Sequence, residues 1–181
     1  MKVTKKIIAF AGSNSKNSIN KKLVVLATKQ LKNVEIELLD LNDFNLPIYG
    51  IDEENKNGFP RDAKKFNELL NTTNGVIVSL AEHNGAYTVA FKNILDWVSR
   101  IDKMVWKNKP MLLMSTSPGS RGGASVMEIA LGKFPRMGAQ ISANFSLPFF
   151  TNNFSETRIV DEKLHTQFLK CISDFKKDLE V

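Results

Sequence analysis

Short, almost wholly apolar runs alternate along this chain with stretches whose apolar residues recur every three or four positions. Lys6 to Ala11 (KIIAFA) is nearly all apolar and stops at Gly12, the pattern of a strand covered on both faces. From Ser18 onward Ile19, Leu23, Leu26/Ala27 and Leu31 form one stripe with lysines elsewhere, so a helix follows. Val34 to Leu41 alternates like an outer strand, and a loop over Pro47 to Pro60 leads to a helix at Arg61 to Asn71. Gly75 to Leu80 (GVIVSL) reads as a second buried strand. Ala90, Ile94, Trp97/Val98 and Ile101 then mark a helix, and Pro110 to Ser115 (PMLLMS) a further apolar strand. A helix at Ala124 to Arg136, a strand at Ala139 to Phe145 and a last helix through Leu164, Phe168, Ile172, Phe175 and Leu179 complete the series.

This regular βα alternation predicts an α/β protein: a parallel sheet with helices on both faces, a three-layer sandwich. Five strands favour the flavodoxin-like order 2-1-3-4-5 over the six-stranded dinucleotide fold. No repeat, low-complexity tract or linker divides the 181 residues, so residues 1–181 read as one domain. A chain of that length buries roughly 70% of its unfolded surface without cross-links. A single cysteine, Cys171, leaves no internal disulfide framework, and its place among Phe168, Ile172 and Phe175 makes it a small core residue. Two distant histidines, His83 and His165, argue against a metal site. No apolar run nears the roughly 20 residues that cross a bilayer, and the opening stretch is too short for a signal peptide. Together these features predict a cytoplasmic protein.

The net charge is +6, from 25 Lys+Arg against 19 Asp+Glu. The lysines are scattered and not interleaved with aromatics, which argues against nucleic acid and for anionic small molecules. In an open parallel sheet the ligand lies beyond the carboxyl ends of the strands at the switch point, so three loops matter. After the first strand comes Gly12 to Asn20 (GSNSKNSIN), small and hydroxyl-rich, opening a helix. Serine and asparagine donors beside unpaired helix N–H groups suit phosphate, while the bland reading is a turn with Ser18 as N-cap. The loop lacks GxxxxGK[ST] and GxGxxG, against an ATPase or a tightly held dinucleotide. After the third strand a polar loop containing Gly85 opens a long amphipathic helix, and after the fourth comes STSPGSRGG, Ser115 to Gly123. A planar ring fits between these two loops. Ser117-Pro118-Gly119 is not a GxSxG nucleophile elbow, against a hydrolase. Phe44 to Tyr49 and Leu147 to Phe154 read as exposed apolar-aromatic loops, walls of a pocket or an interface. Asp96 and Trp97 read as an ion-pairing and a packing residue.

In GSNSKNSIN, AEHNGAYTVAFKNILDWVSR and STSPGSRGG the sequence resembles the NADPH-dependent FMN reductase family of flavodoxin-like quinone, azo-dye and chromate reductases. The resemblance runs in order over roughly the whole chain. The family's first loop usually reads GSxRxxSxN, matched at Gly12, Ser13, Ser18 and Asn20, with Ser15 in place of the arginine. Its second motif, PEYNxSxPGxLKNxIDWxSR, is matched at Glu82, Asn84, Lys92, Asn93, Asp96, Trp97, Ser99 and Arg100; Ala81, His83, Val89 and Ala90 depart from it. Its third, SxSPGxxGG, is matched at Ser115, Ser117, Pro118, Gly119, Gly122 and Gly123.

The resemblance implies FMN and NADPH (or NADH) as cofactors, with Ser13, Ser15, Ser18, Ile19 and Asn20 around the FMN phosphate. It places Glu82, His83, Asn84 and Gly85 along the flavin ring, and Ser117, Pro118, Gly119 and Gly122 at its other edge. Losing the arginine removes a charge-assisted, bidentate contact, so FMN is expected to bind more weakly than in a typical member, with Lys16 a partial substitute. The implied reaction is ping-pong: NAD(P)H gives hydride to the flavin, then a quinone, free flavin, azo compound or similar acceptor takes the electrons, with no catalytic side chain required. The family also implies a homodimer or homotetramer. The alternatives are a flavodoxin-like electron carrier, which the +6 charge counts against, and a member with weakened flavin binding.

Overall fold

The computed structural model describes residues 4–181. Its main sheet is five-stranded and parallel, built from β1 (Lys5–Gly12), β2 (Val34–Leu39), β3 (Gly75–Leu80), β6 (Lys109–Thr116) and β7 (Ala139–Leu147). The spatial order is β2-β1-β3-β6-β7, the order expected for these five strands. β1, β3 and β6 are central and read as unbroken apolar runs because both their faces are covered.

Alternate residues of each strand feed opposite cores, as the two-residue period of a strand requires. Ile7 and Ala9, Ile77, Leu112 and Met114 meet α1 (Ile19–Thr28) and α7 (Glu162–Leu179) through Leu23, Phe168, Ile172 and Phe175. Ile8 and Phe10, Val76 and Val78, Met111 and Leu113 meet α3 (Arg61–Thr72), α4 (Val89–Ile101) and α5 (Ala124–Lys133) through Phe66, Phe91, Ile94, Val126 and Phe134. These are the three layers predicted from the pattern. Cys171 is half-buried at the edge of the α1/α7 core, its thiol 3.4 Å from the Asn144 carbonyl, and burial pushes its pKa up.

Several local expectations are corrected. The first helix ends at Thr28, so Leu31 lies beyond it. Within the expected loop Pro47 to Pro60 lies a short helix, α2 (Ile51–Asn57), which buries none of its residues and so left no apolar stripe to read. It is held from outside: Arg100 grips Glu54 in a fork at 2.9 and 3.1 Å, the Tyr49 hydroxyl donates to Glu54 at 3.0 Å, and Trp97 Nε1 donates to the Pro47 carbonyl at 2.8 Å. Hydrogen bonding to Arg100 lowers the Glu54 pKa, while burial first, and Glu54 second, raise that of Tyr49. The two apolar-aromatic loops are largely inward-facing. Phe44, Leu147 and Phe150 are buried, a short helix α6 (Phe150–Asn153) forms in the second loop, and only Ile48 and Phe149 stand out as exposed large apolar side chains.

Candidate functional site

Eight polar side chains are buried among the described residues, and six of them, Ser18, Asn20, Ser79, Thr88, Ser115 and Thr116, gather at the carboxyl edge of the sheet. Burying a hydroxyl or amide is costly unless it is hydrogen-bonded, and here each one has a partner. The Asn20 carbonyl oxygen accepts from the Ser79 hydroxyl at 2.7 Å and from the Thr116 N–H at 3.1 Å, and its amide donates to the Thr116 carbonyl at 3.2 Å. Thr116 Oγ1 donates to Leu147 O, Ser115 Oγ to Gly122 O, and Thr88 Oγ1 to Gly12 O. The strand ends and the loops above them are thereby laced into one rigid platform.

On this platform the first loop turns through serine hydroxyls. Ser13 Oγ accepts from the Ser15 N–H (3.2 Å), Ser15 Oγ from the Asn17 N–H (3.3 Å), and Ser18 Oγ from the Lys21 N–H (3.2 Å), which makes Ser18 the N-cap of α1. Each hydroxyl accepts inward and keeps its own proton for an outside oxygen. Ile19 and Asn20 are the first two residues of α1, where N–H groups have no intrahelical acceptor and the helix dipole is positive. A relay from Lys21 through Asp40 and Asn42 to the Asn14 carbonyl (2.5, 2.7 and 3.1 Å) anchors the loop from the side. The Lys21 and Asn42 hydrogen bonds hold the Asp40 carboxyl below the usual carboxylate range.

Opposite stands a hairpin of β4 (Glu82–His83) and β5 (Ala86–Tyr87), absent from the sequence reading. Its turn is Asn84-Gly85 at φ 52° and 76°, the left-handed pair that a two-residue hairpin requires. The Asn-Gly dipeptide was the signal for it. Glu82 caps α5 by accepting the Val126 N–H at 2.9 Å, so its carboxylate serves the scaffold. The third loop is fastened by Phe149 N–H to Gly119 O (3.0 Å) and Phe150 N–H to Ser117 O (3.1 Å). Gly122, at φ 58°, lies so close to the Leu147–Pro148 backbone that a Cβ would fall 2.8 Å from the Leu147 carbonyl carbon.

These three loops enclose an open groove of about 240 Å³. Of the expected residues, Ser13, Ser15, Ser18, Ile19, Asn20, Glu82, His83, Ser117 and Pro118 line it. Asn84, Gly85, Gly119 and Gly122 do not; they form the hairpin turn and the loop closure just described. Asn17, Ala81 and Thr116 line it too, although Ala81 is marked in the sequence only as a departure from the second motif and nothing about an isolated Asn or Thr marks a site. Lys16, offered as the substitute for the missing arginine, lines a neighbouring cleft instead. The motif residues Asn93, Trp97 and Arg100 stand away from the groove and hold the Pro47–Glu54 segment, while Lys92 pairs with Asp96 at 2.7 Å.

A five-stranded parallel sheet of this order, with its hydroxyl-lined first loop at a helix N-terminus, defines the flavodoxin-like class of α/β proteins. The family model for NADPH-dependent FMN reductase matches residues 5–151, and the chain belongs to that family. It is 28% identical over 119 residues to a quinone reductase of Escherichia coli, an alignment covering 65% of this chain and 63% of that protein. It is 31% identical over 121 residues to a 2-hydroxy-1,4-benzoquinone reductase of Burkholderia, covering 66% of this chain and 64% of the relative. The match thus spans less than two thirds of these relatives' length. In fold the chain is similar to FerB, a flavoenzyme NAD(P)H:(acceptor) oxidoreductase of Paracoccus denitrificans, at a TM-score of 0.76 and 24% identity over 98% of both chains. No helix among the described residues is long and apolar enough to cross a membrane.

Proposed function

We propose that this protein is a cytoplasmic FMN-dependent NAD(P)H oxidoreductase that reduces quinones, free flavin, azo compounds or similar small acceptors. The observation that carries the reading is the groove itself: serine hydroxyls and helix N–H groups on one wall, the His83 hairpin and Ser117-Pro118 on the others. The donor set fits FMN. Ser13, Ser15 and Ser18 hydroxyls with the Ile19 and Asn20 N–H groups would hold the phosphate. Among the described residues Glu82 is the only carboxylate lining the groove, and it is engaged by Val126 and does not oppose an anion freely.

The chemistry that bound FMN supplies is two-electron transfer from reduced nicotinamide to an acceptor, in two half-reactions. The chain's part is to hold and orient. Asn20 fixes β3 and β6 to α1 so that the three loops keep one spacing. The Asn84-Gly85 turn presents the hairpin, and the Gly122 contact sets the third loop against β7. The open groove lets donor and acceptor visit in turn, and no side chain need exchange a proton. Exposed apolar side chains on the side of the sheet that α4 and α5 cover, Val89 on α4, Met104 after it and Ile129 on α5, support a homodimer or homotetramer.

Initial rates with NADPH and benzoquinone varied together, in added FMN, test the reading. Parallel double-reciprocal lines are expected. Intersecting lines refute the two-stroke mechanism, and FMN-independent or absent turnover refutes the enzyme.

A further inference from the structure

The walls of the groove carry little charge. Among the described residues that line it, Glu82 and His83 alone have titratable side chains, and the Glu82 carboxylate is taken up by the Val126 N–H at 2.9 Å. His83 is exposed, and its imidazole meets no carboxylate within 4.0 Å among the described residues. It stands where the second motif usually has tyrosine, so a ring able to carry positive charge replaces a neutral phenol.

The arm that carries His83 is fixed. Its backbone pairs with Ala86 across the hairpin, and the Tyr87 ring packs against Phe91 and Phe134 at 5.4 and 6.0 Å between centroids. Thr88 then caps α4 by accepting the Phe91 N–H at 3.2 Å and donates to the Gly12 carbonyl at 2.9 Å. The imidazole is thus presented to the groove from a support tied to β1 and α4. A contact made from such a support costs little ordering. Nothing on the neighbouring elements competes for it. The first loop offers serine hydroxyls, with Lys16 lining the neighbouring cleft; the third offers Ser117 and Pro118, with Arg121 outside the groove. On α5 the first turn has no acidic residue, and on α4 Lys92 and Asp96 neutralise each other. The net charge of +6 draws anions toward the mouth.

We propose that His83 sets the acceptor class: the groove prefers ring compounds that carry an anionic group, a sulfonate, carboxylate or ionised hydroxyl, and the His83 imidazole holds that group. The inference rests on the groove being the flavin site and names the acceptors that site selects. No bond to His83 forms or breaks; the imidazole binds and orients, and the contact is strongest when the ring is protonated, which for an imidazole falls toward the acid side of neutrality.

The test is a binding titration of anthraquinone-2-sulfonate and its uncharged sulfonamide into the oxidised, FMN-loaded protein, followed by flavin absorbance, at about pH 5.5 and about pH 8.5. Parent, His83→Gln and His83→Lys are compared. The two probes share one ring, so the ratio of their dissociation constants cancels any effect of pH on the flavin phosphate. An exposed ion pair is worth up to about fivefold in affinity, so in the parent the ratio should favour the sulfonate about fivefold more at the lower pH. His83→Gln should erase that dependence, and His83→Lys should keep the preference at both pH values. A parent ratio that does not change with pH, a dependence that survives His83→Gln, or no binding of the sulfonate overturns the assignment and leaves the flavin site standing. If the dialysed protein retains no flavin, the reading of the groove falls and takes this inference with it.

Discussion

Asn20→Ala separates two roles that the sequence leaves superimposed. By family resemblance Asn20 belongs to the phosphate site, yet its side chain is 2% exposed and spends three hydrogen bonds on Ser79 and Thr116. Removing it deletes three bonds worth about 1 kcal/mol each and orphans the Ser79 hydroxyl and Thr116 backbone in a dry site. Alanine's better helix propensity offsets about 0.5 kcal/mol. The expected loss is therefore about 2.5 kcal/mol, or roughly 5–10 °C in Tm for a domain of this size. Urea and thermal unfolding of the ligand-free protein measure it. A double-mutant cycle with Ser79→Ala should show coupling of about 0.5 kcal/mol or more, since the two side chains share a bond. If ligand-free Asn20→Ala stays within about 0.5 kcal/mol of the parent while FMN affinity collapses, the side chain is a phosphate ligand and the scaffold role is refuted.

Three further outcomes are expected. Ser15→Arg restores a charge-assisted contact and should tighten FMN about tenfold in a fluorescence titration; unchanged affinity would mean the loop is not the phosphate site. Gly122→Ala forces a Cβ against the Leu147–Pro148 backbone at positive φ and should cost about 2–4 kcal/mol of stability by urea unfolding; a neutral result would contradict the close approach. Asp40 has its pKa lowered by Lys21 and Asn42, so its contribution is present above the unfolded value of about 3.9 and fades as pH falls through the lower folded value. Stability measured from pH 5 down to pH 2 should therefore fall less steeply in Asp40→Asn than in the parent, and equal slopes would sink the relay.

The sheet was legible because β1, β3 and β6 are buried on both faces and show as apolar runs, while α3, α4 and α7 each turn one stripe inward. Elements stabilised from outside their own sequence were not. IDEENKN carries no core residue, and α2 exists because Tyr49 and Arg100 hold Glu54. Ser18 was readable as an N-cap from residue type and place, but Asn20 looked like a ligand because its partners Ser79 and Thr116 lie 59 and 96 residues away. Lys16 looked close to the phosphate in sequence and faces the other cleft in space. Motif positions therefore divide into those that line the groove, those such as Asn84, Gly119 and Gly122 that shape the loops around it, and those such as Asn93, Trp97 and Arg100 that clamp the Pro47–Glu54 segment.

The central claim is that the groove holds FMN where reduced nicotinamide can reach it. The direct measurement is the visible spectrum of FMN-loaded, dialysed protein under anaerobic conditions as NADPH, then NADH in a parallel sample, and finally benzoquinone are added. Retained flavin absorbance that bleaches with nicotinamide and recovers with quinone is the predicted result. Flavin that stays bound but does not bleach would make the protein a carrier, and flavin lost on dialysis at micromolar concentrations would contradict the site.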